Sequence, residues 1–166
     1  MLRPLYPSEA EIAFRVFKTS LCVGQIYVSP AVGLQSRPFT TTIPPFSPNL
    51  GIAAAYVINI GLDGFIRGMT STVDQRATLV HELTHVWQGA HGLICSDFMY
   101  ESVTHQVIGW IQGTDPYAYR PGLPWDDYNV EQQAQIVEEW FKRGERTSDP
   151  LYPYIRDHIR TLLWFG

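Results

Sequence analysis

The apolar positions of this chain recur at helical spacing near its start, become strand-like over the next stretch, and return to helical spacing in the second half. Ser8-x-x-Glu11 has the form of a capping box, which satisfies free backbone donors at a helix start. Ala10, Ala13, Phe14, Phe17 and Leu21 then fall on one helical stripe. From Cys22 to Ser29 the strand formers Val23, Ile26 and Val28 predict a β-strand that Pro30 ends. Residues 30–51 carry Pro30, Pro38, Pro44, Pro45 and Pro48 and read as a long irregular loop. Such a loop either walls a cleft, with Arg37, Phe39 and Phe46 as contacts, or is a proline-stiffened surface feature. Ala53 to Ile60 is a continuous apolar run of strand length, and Gly61-Leu62-Asp63-Gly64 reads as a turn into Phe65-Ile66-Arg67. A hairpin of this kind would put an edge strand, able to pair with an extended peptide, just before the next helix.

That helix opens on a second capping box, Thr72-x-x-Gln75, and is predicted to run from about Val73 to Gln88 or Gly89. Ser96 or Asp97 caps a further helix with Met99, Val103, Val107, Trp110 and Ile111 on one face, ended by Gly113. Residues 114–128 form a loop rich in Pro, Gly and Tyr. Asn129-x-x-Gln132 opens a helix to about Lys142 that buries Ala134, Val137 and Phe141. A last helix begins at Pro153 and packs Ile155, Ile159, Leu162 and Leu163. The expected class is α+β: a small N-terminal sheet, one central helix and a mainly helical C-terminal half, with residues 1–166 as a single domain.

Composition narrows the function classes. With 45% hydrophobic and 17% charged residues the chain has the makeup of a globular protein and not of a disordered one. A net charge of −4 provides no basic footprint for nucleic acid or an anionic membrane. No stretch approaches the length of apolar sequence that spans a bilayer. Met1 to Ser20 lacks the features of a secretory signal, so work outside the producing cell would need another carrier or a longer parent chain. Cys22 and Cys95 can either pair in an oxidising compartment or stand as two buried thiols, and the sequence favours the unpaired state only slightly.

The candidate chemistry lies in His81-Glu82-Leu83-Thr84-His85. Residues four apart on a helix share a face, so both imidazoles can reach one ion, and Glu82 stands beside the first of them as a general base. Val80, Leu83, Val86 and Trp87 supply the apolar positions that a half-buried helix requires. A catalytic zinc needs a third protein ligand. His91 is one candidate, although the helix-breaking glycine of the metzincin pattern is replaced by Gln88, with Gly89 one residue late. Glu131 is the better one, because Glu131, Gln135 and Glu138 form a polar stripe opposite the buried face of their helix. Gln135 could then hold the free ring nitrogen of a ligand histidine. Glu101 sits among core positions, and His105 reads as a packing or surface histidine. Tyr128 or Tyr119, in the loop before the Glu131 helix, could assist an oxyanion.

His81 to Gln88, with Tyr128-Asn129-Val130-Glu131-Gln132-Gln133-Ala134, resembles a family of bacterial zinc metallopeptidase effector domains. These stand at the C-termini of type VI secretion spike proteins (VgrG) and of Rhs-type toxins. The resemblance implies a zincin-like fold, Zn2+ held by His81, His85 and Glu131, Glu82 as the catalytic base, and hydrolysis of a protein or peptide. It also implies delivery to the periplasm of a competing bacterium, with a secretion spike and a cognate immunity protein as partners. Gln135 departs from the broader gluzincin pattern, in which an acidic residue often follows the ligand Glu by four. The contrasting expectation is a non-catalytic, zinc-braced binding or adaptor domain, closed by His91 as a fourth ligand.

Overall fold

A computed structural model describes residues 1–33, 36–43, 55–91 and 119–161. In chain order it contains β1 (Arg3–Pro4), α1 (Pro7–Phe17), β2 (Ile26–Ser29), β3 (Phe39–Ile43), β4 (Ala55–Asn59), α2 (Gly61–Arg67), α3 (Val73–His91) and α4 (Val130–Lys142). The last described element, α5, is a helical turn at Tyr152–Tyr154 continuing as a π turn over Ile155–Ile159. The class is α+β, with one small mixed sheet and a helical second half. Among the described residues no helix is long and apolar enough to cross a membrane.

The four strands lie in the order β1-β2-β4-β3. β2 and β4 run parallel, pairing Ile26 with Tyr56 and Ser29 with Asn59. β1 on one side and β3 on the other are antiparallel, β3 matching Phe39 to Asn59 and Ile43 to Ala55. Every residue of β4 is buried, as a central strand covered on both faces requires. At one end Asn59 ties three strands together: its Oδ1 accepts from Ser29 Oγ, and its Nδ2 donates to the Phe39 carbonyl at 3.1 Å. α3 packs against α4 over its length and also touches α1, β3 and β4. The core between them includes Val16, Phe17, Ile58, Leu79, Leu83, Ile136 and Trp140.

Several sequence expectations are corrected here. The first helix is capped by Tyr6 and Glu9 and not by Ser8 and Glu11: the Tyr6 amide donates to Glu9 Oε2 at 2.8 Å, and Pro7, which has no amide hydrogen to leave unpaired, takes the first turn. Its buried stripe accordingly includes Ile12 and Val16, while Phe14 is 59% exposed. The strand predicted over Cys22–Ser29 is shorter, because a 3-10 turn occupies Val23–Gln25. The hairpin from Gly61 into Phe65-Ile66-Arg67 does not form, since those residues make α2. Gly61 turns the chain at φ +77, and Gly64 lets α2 lie close to Met69 and Ile60, where a Cβ would meet the Met69 sulfur at 2.9 Å. β4 finds its antiparallel partner in β3, inside the stretch read as a loop.

Two capping boxes are as expected. Thr72 and Gln75 exchange both bonds, at 3.2 and 3.1 Å, and Asn129 and Gln132 do the same at 3.1 and 2.8 Å. The predicted helix at residues 96–113, Cys95, Glu101, His105, Phe46, Leu162 and Leu163 lie outside the described residues. Cys22 is an exposed free thiol.

Candidate metal centre

α3 and α4 lie antiparallel: contacts pair Asp74 with Lys142, His81 with Glu138, and Gln88 with Val130. α3 turns Leu79, Val80, Leu83 and Val86 into the core, which leaves His81 and His85 on the side that meets α4. α4 buries Ile136, Val137, Trp140 and Phe141, and presents Glu131 and Glu138, two turns apart, to α3. The local amphipathic pattern of each helix thus sets which polar groups meet at their seam.

At that seam His81, His85 and Glu131 converge. The two Nε2 atoms are 3.2 Å apart, and Glu131 Oε2 lies 3.3 Å from that of His81 and 3.4 Å from that of His85. Glu131 is fully buried, and the His81 and His85 side chains keep only 12% and 4% exposure. The other ring nitrogens are fixed from behind. His85 Nδ1 meets Gln88 Oε1 at 2.8 Å, while the Gln88 amide nitrogen donates to the Val130 carbonyl and to Gln133 Oε1, both at 2.9 Å. A backbone carbonyl only accepts, so the amide orientation is determined, His85 Nδ1 carries the proton, and Nε2 offers a lone pair. His81 Nδ1 is held by Glu138 at 3.1 Å, and Glu138 also takes Lys142 Nζ at 2.9 Å.

Three electron-pair donors facing one another from 3.2–3.4 Å need a positive charge between them. Without an ion, protons fill that need. Burial pushes His81 down, but its bonds to Glu131 and Glu138 and the nearby Glu82 outweigh it and hold the ring up at about 10. His85 behaves alike: burial lowers it, and Glu131 more than compensates. Burial would raise Glu131, yet His85 and His81 keep it well below the ordinary carboxylate range. Glu138 is likewise pushed up by burial and carried down, on balance, by His81 and Lys142.

Zinc fits this donor set. Tetrahedral ligands about 2.0–2.1 Å from an ion stand roughly 3.3–3.4 Å apart. Each imidazole is braced on its far nitrogen, as metal-binding histidines usually are. Glu82, next to His81 in sequence, is buried and receives the Thr40 hydroxyl on Oε2 at 2.8 Å.

The remaining candidates are elsewhere. His91, the last residue of α3, donates Nδ1 to the Trp87 carbonyl at 2.8 Å and stacks on the Trp87 ring, so it does not join the group. The Tyr128 hydroxyl donates to the Arg120 carbonyl at 2.7 Å and accepts from the Leu123 amide at 3.1 Å, which makes it a brace of the 119–128 loop. Tyr119 donates to Glu139 at 2.9 Å. The supporting position expected of Gln135 is taken by Glu138 for His81 and by Gln88 for His85. Glu138 was within reach of sequence reasoning, seven residues after Glu131 on the same stripe, and Gln88 lies three after His85. Thr40 had no local signal.

Over 73 residues the chain is 37% identical to the type VI secretion system spike protein VgrG2b of Pseudomonas aeruginosa, a match that takes in 42% of this chain. The matched part is 7% of that much longer spike protein. The structure is also similar to the effector domain of Pseudomonas aeruginosa VgrG2b, with a TM-score of 0.59 and 25% identity, covering 96% of this chain and 84% of that one. No protein-family model matches the chain. The shared architecture extends across the described sheet and helices, beyond the shorter stretch of sequence likeness.

Proposed function

We propose that the chain is a zincin-like, zinc-dependent metallopeptidase that serves as a type VI secretion effector domain. The observation that carries the reading is the triangle of His81 Nε2, His85 Nε2 and Glu131 Oε2, with edges of 3.2–3.4 Å and Glu82 one residue from its apex. His81, His85 and Glu131 would hold Zn2+, which supplies Lewis acidity toward water and a peptide carbonyl. Glu138 and Gln88 keep both imidazoles in the tautomer that turns Nε2 inward. Glu82 takes the proton from the attacking water and returns it to the leaving amine nitrogen, so one carboxylate serves as base and then as acid. β3 ends the sheet among the described residues, and its outer edge offers backbone groups to an extended peptide.

The likeness to the VgrG2b effector domain supports the delivery half of the proposal, in which a secretion spike carries the domain to a target bacterium. Protein or peptide in the periplasm would be its substrate there. A cognate immunity protein would guard the producer. The experiment is zinc analysis and peptide hydrolysis on the wild type and Glu82→Gln. The expected result is one zinc per chain in both and turnover only in the wild type. A wild type that binds no zinc, or a Glu82→Gln variant that still turns over, overturns the reading.

A further inference from the structure

We infer that Thr40 is a positioning residue for Glu82, so that the edge strand of the sheet sets the aim of the proposed base. This rests on the peptidase reading of the site and names a part of it that lies outside the two helices.

Thr40 sits second in β3, opposite Ile58 of the central strand. Its hydroxyl lies 2.8 Å from Glu82 Oε2 and 3.2 Å from the Glu82 main-chain oxygen. Both are acceptors, so the hydroxyl is the donor, and the shorter contact is to the carboxylate. A hydroxyl donating to a buried carboxylate makes a charge-assisted bond, which holds one oxygen and fixes the rotamer of the other. Glu82 stands on the helix turn that also carries His81 and His85, so its carboxylate needs a restraint from a different element to keep it at a set angle to the ligand triangle. Among the bonds described, Thr40 is that restraint.

The strand that supplies it is itself anchored. Asn59 Nδ2 bonds the Phe39 carbonyl at 3.1 Å and the Thr41 hydroxyl at 3.4 Å, on either side of Thr40, and Asn59 is tied to Ser29 of β2. Thr41 also bonds the Val57 carbonyl at 3.4 Å. Hydrogen bonds from β2 through β4 therefore hold the residues on either side of Thr40, whose own hydroxyl reaches the carboxylate of Glu82. A peptide paired along the outer edge of β3 would press on the same strand that aims the base, which couples substrate seating to Glu82 geometry.

The test uses Thr40→Val, which keeps the β-branched shape and removes the hydroxyl, and Thr40→Ser, which restores it. Thr40→Val should retain one zinc per chain and an unchanged KM, with kcat falling on the order of tenfold to a hundredfold, the scale of a misplaced catalytic group. Thr40→Ser should recover most of that loss. A second readout needs no turnover: Thr40→Val should lower the denaturation midpoint of the metal-free protein, and lower it less when Glu82→Ala is already present. Equal shifts in the two backgrounds, wild-type kcat in Thr40→Val, or loss of zinc with the hydroxyl would each overturn the inference. If the wild type itself shows no Glu82-dependent turnover, the peptidase reading fails and takes the positioning role with it. Coupling without turnover would mark Thr40 as a structural contact only.

Discussion

Two fully buried glutamates, Glu9 and Glu131, sit in this molecule with opposite surroundings. Glu9 is surrounded by donors: Arg3 Nη1 and Nη2 at 2.7 and 2.9 Å, the Tyr6 amide at 2.8 Å and the Met69 amide at 3.1 Å. Arg3 spends its other hydrogens on the Phe65, Pro4 and Gly64 carbonyls, so the pair is complete and joins β1, α1 and α2. Glu131 meets two imidazole nitrogens that are braced to face it as further acceptors. The first arrangement has no room for a ligand and no use for one. The second is incomplete until a proton or an ion enters. Burial of charge alone therefore says little about function; the balance of donors and acceptors around it separates a structural staple from a receptive site.

Exchanging the two carboxylates for alanine should separate them most sharply. Glu131→Ala should reduce zinc from one per chain to near none, as read by elemental analysis, and near neutral pH it should also lower the unfolding midpoint of the metal-free protein, because the His81 proton loses a carboxylate partner. Glu9→Ala should destabilise the fold without touching the donor set. It strands Arg3 in the interior, at a cost of about 3–5 kcal/mol in urea unfolding, while the folded fraction still takes up zinc. If Glu9→Ala loses zinc at unchanged stability, the contrast is wrong.

A smaller effect is expected one layer out. Glu138→Gln should weaken zinc binding roughly 10–100-fold in a chelator competition, because His81 loses its charged brace, whereas Gln135→Ala should leave affinity unchanged. The smallest effect concerns protons. In the metal-free state His81 holds its proton up to about 10, so zinc uptake near neutral pH should release protons, read as a buffer-dependent heat in calorimetry. The sign follows for stability. A ring held above its free value of 6.5 stabilises the metal-free fold fully below that pH, and this contribution is lost as pH climbs toward 10. Melting of the chelator-treated protein should thus decline over that window, and the zinc-loaded protein should not follow it.

Local chemistry explains what could be read from the sequence. The Thr72 and Asn129 caps involve partners three residues away, and His81, Glu82 and His85 lie within five positions on one helix. Glu131 emerged from a stripe within its own helix. The parts that were not legible all depend on distant partners. β3 was hidden because Phe39-Thr40-Thr41-Thr42-Ile43 lies among prolines and declares itself only when paired with β4. An apolar run after a Gly-rich turn suits a hairpin, which predicts Phe65-Ile66-Arg67 as the partner of β4, yet the segment folds as α2, with Gly64 packed against Met69. Glu138 reaches His81 across the helix seam and Thr40 reaches Glu82 across a strand-helix contact; the spacing that puts Glu138 on the Glu131 stripe and Gln88 three residues after His85 marks their faces without naming the ring each holds.

The Gln88 amide ties the orientation of a candidate ligand to the seam between two helices. It reads a backbone carbonyl at the start of α4 with its nitrogen and passes an acceptor to His85 with its oxygen. The lone pair of His85 thus turns toward the centre once α4 has docked in register. A chain with its helices apart, or slipped by a turn, lacks that instruction. The geometry of the donor set and the register of the two helices are therefore one and the same property, read through a single side-chain amide.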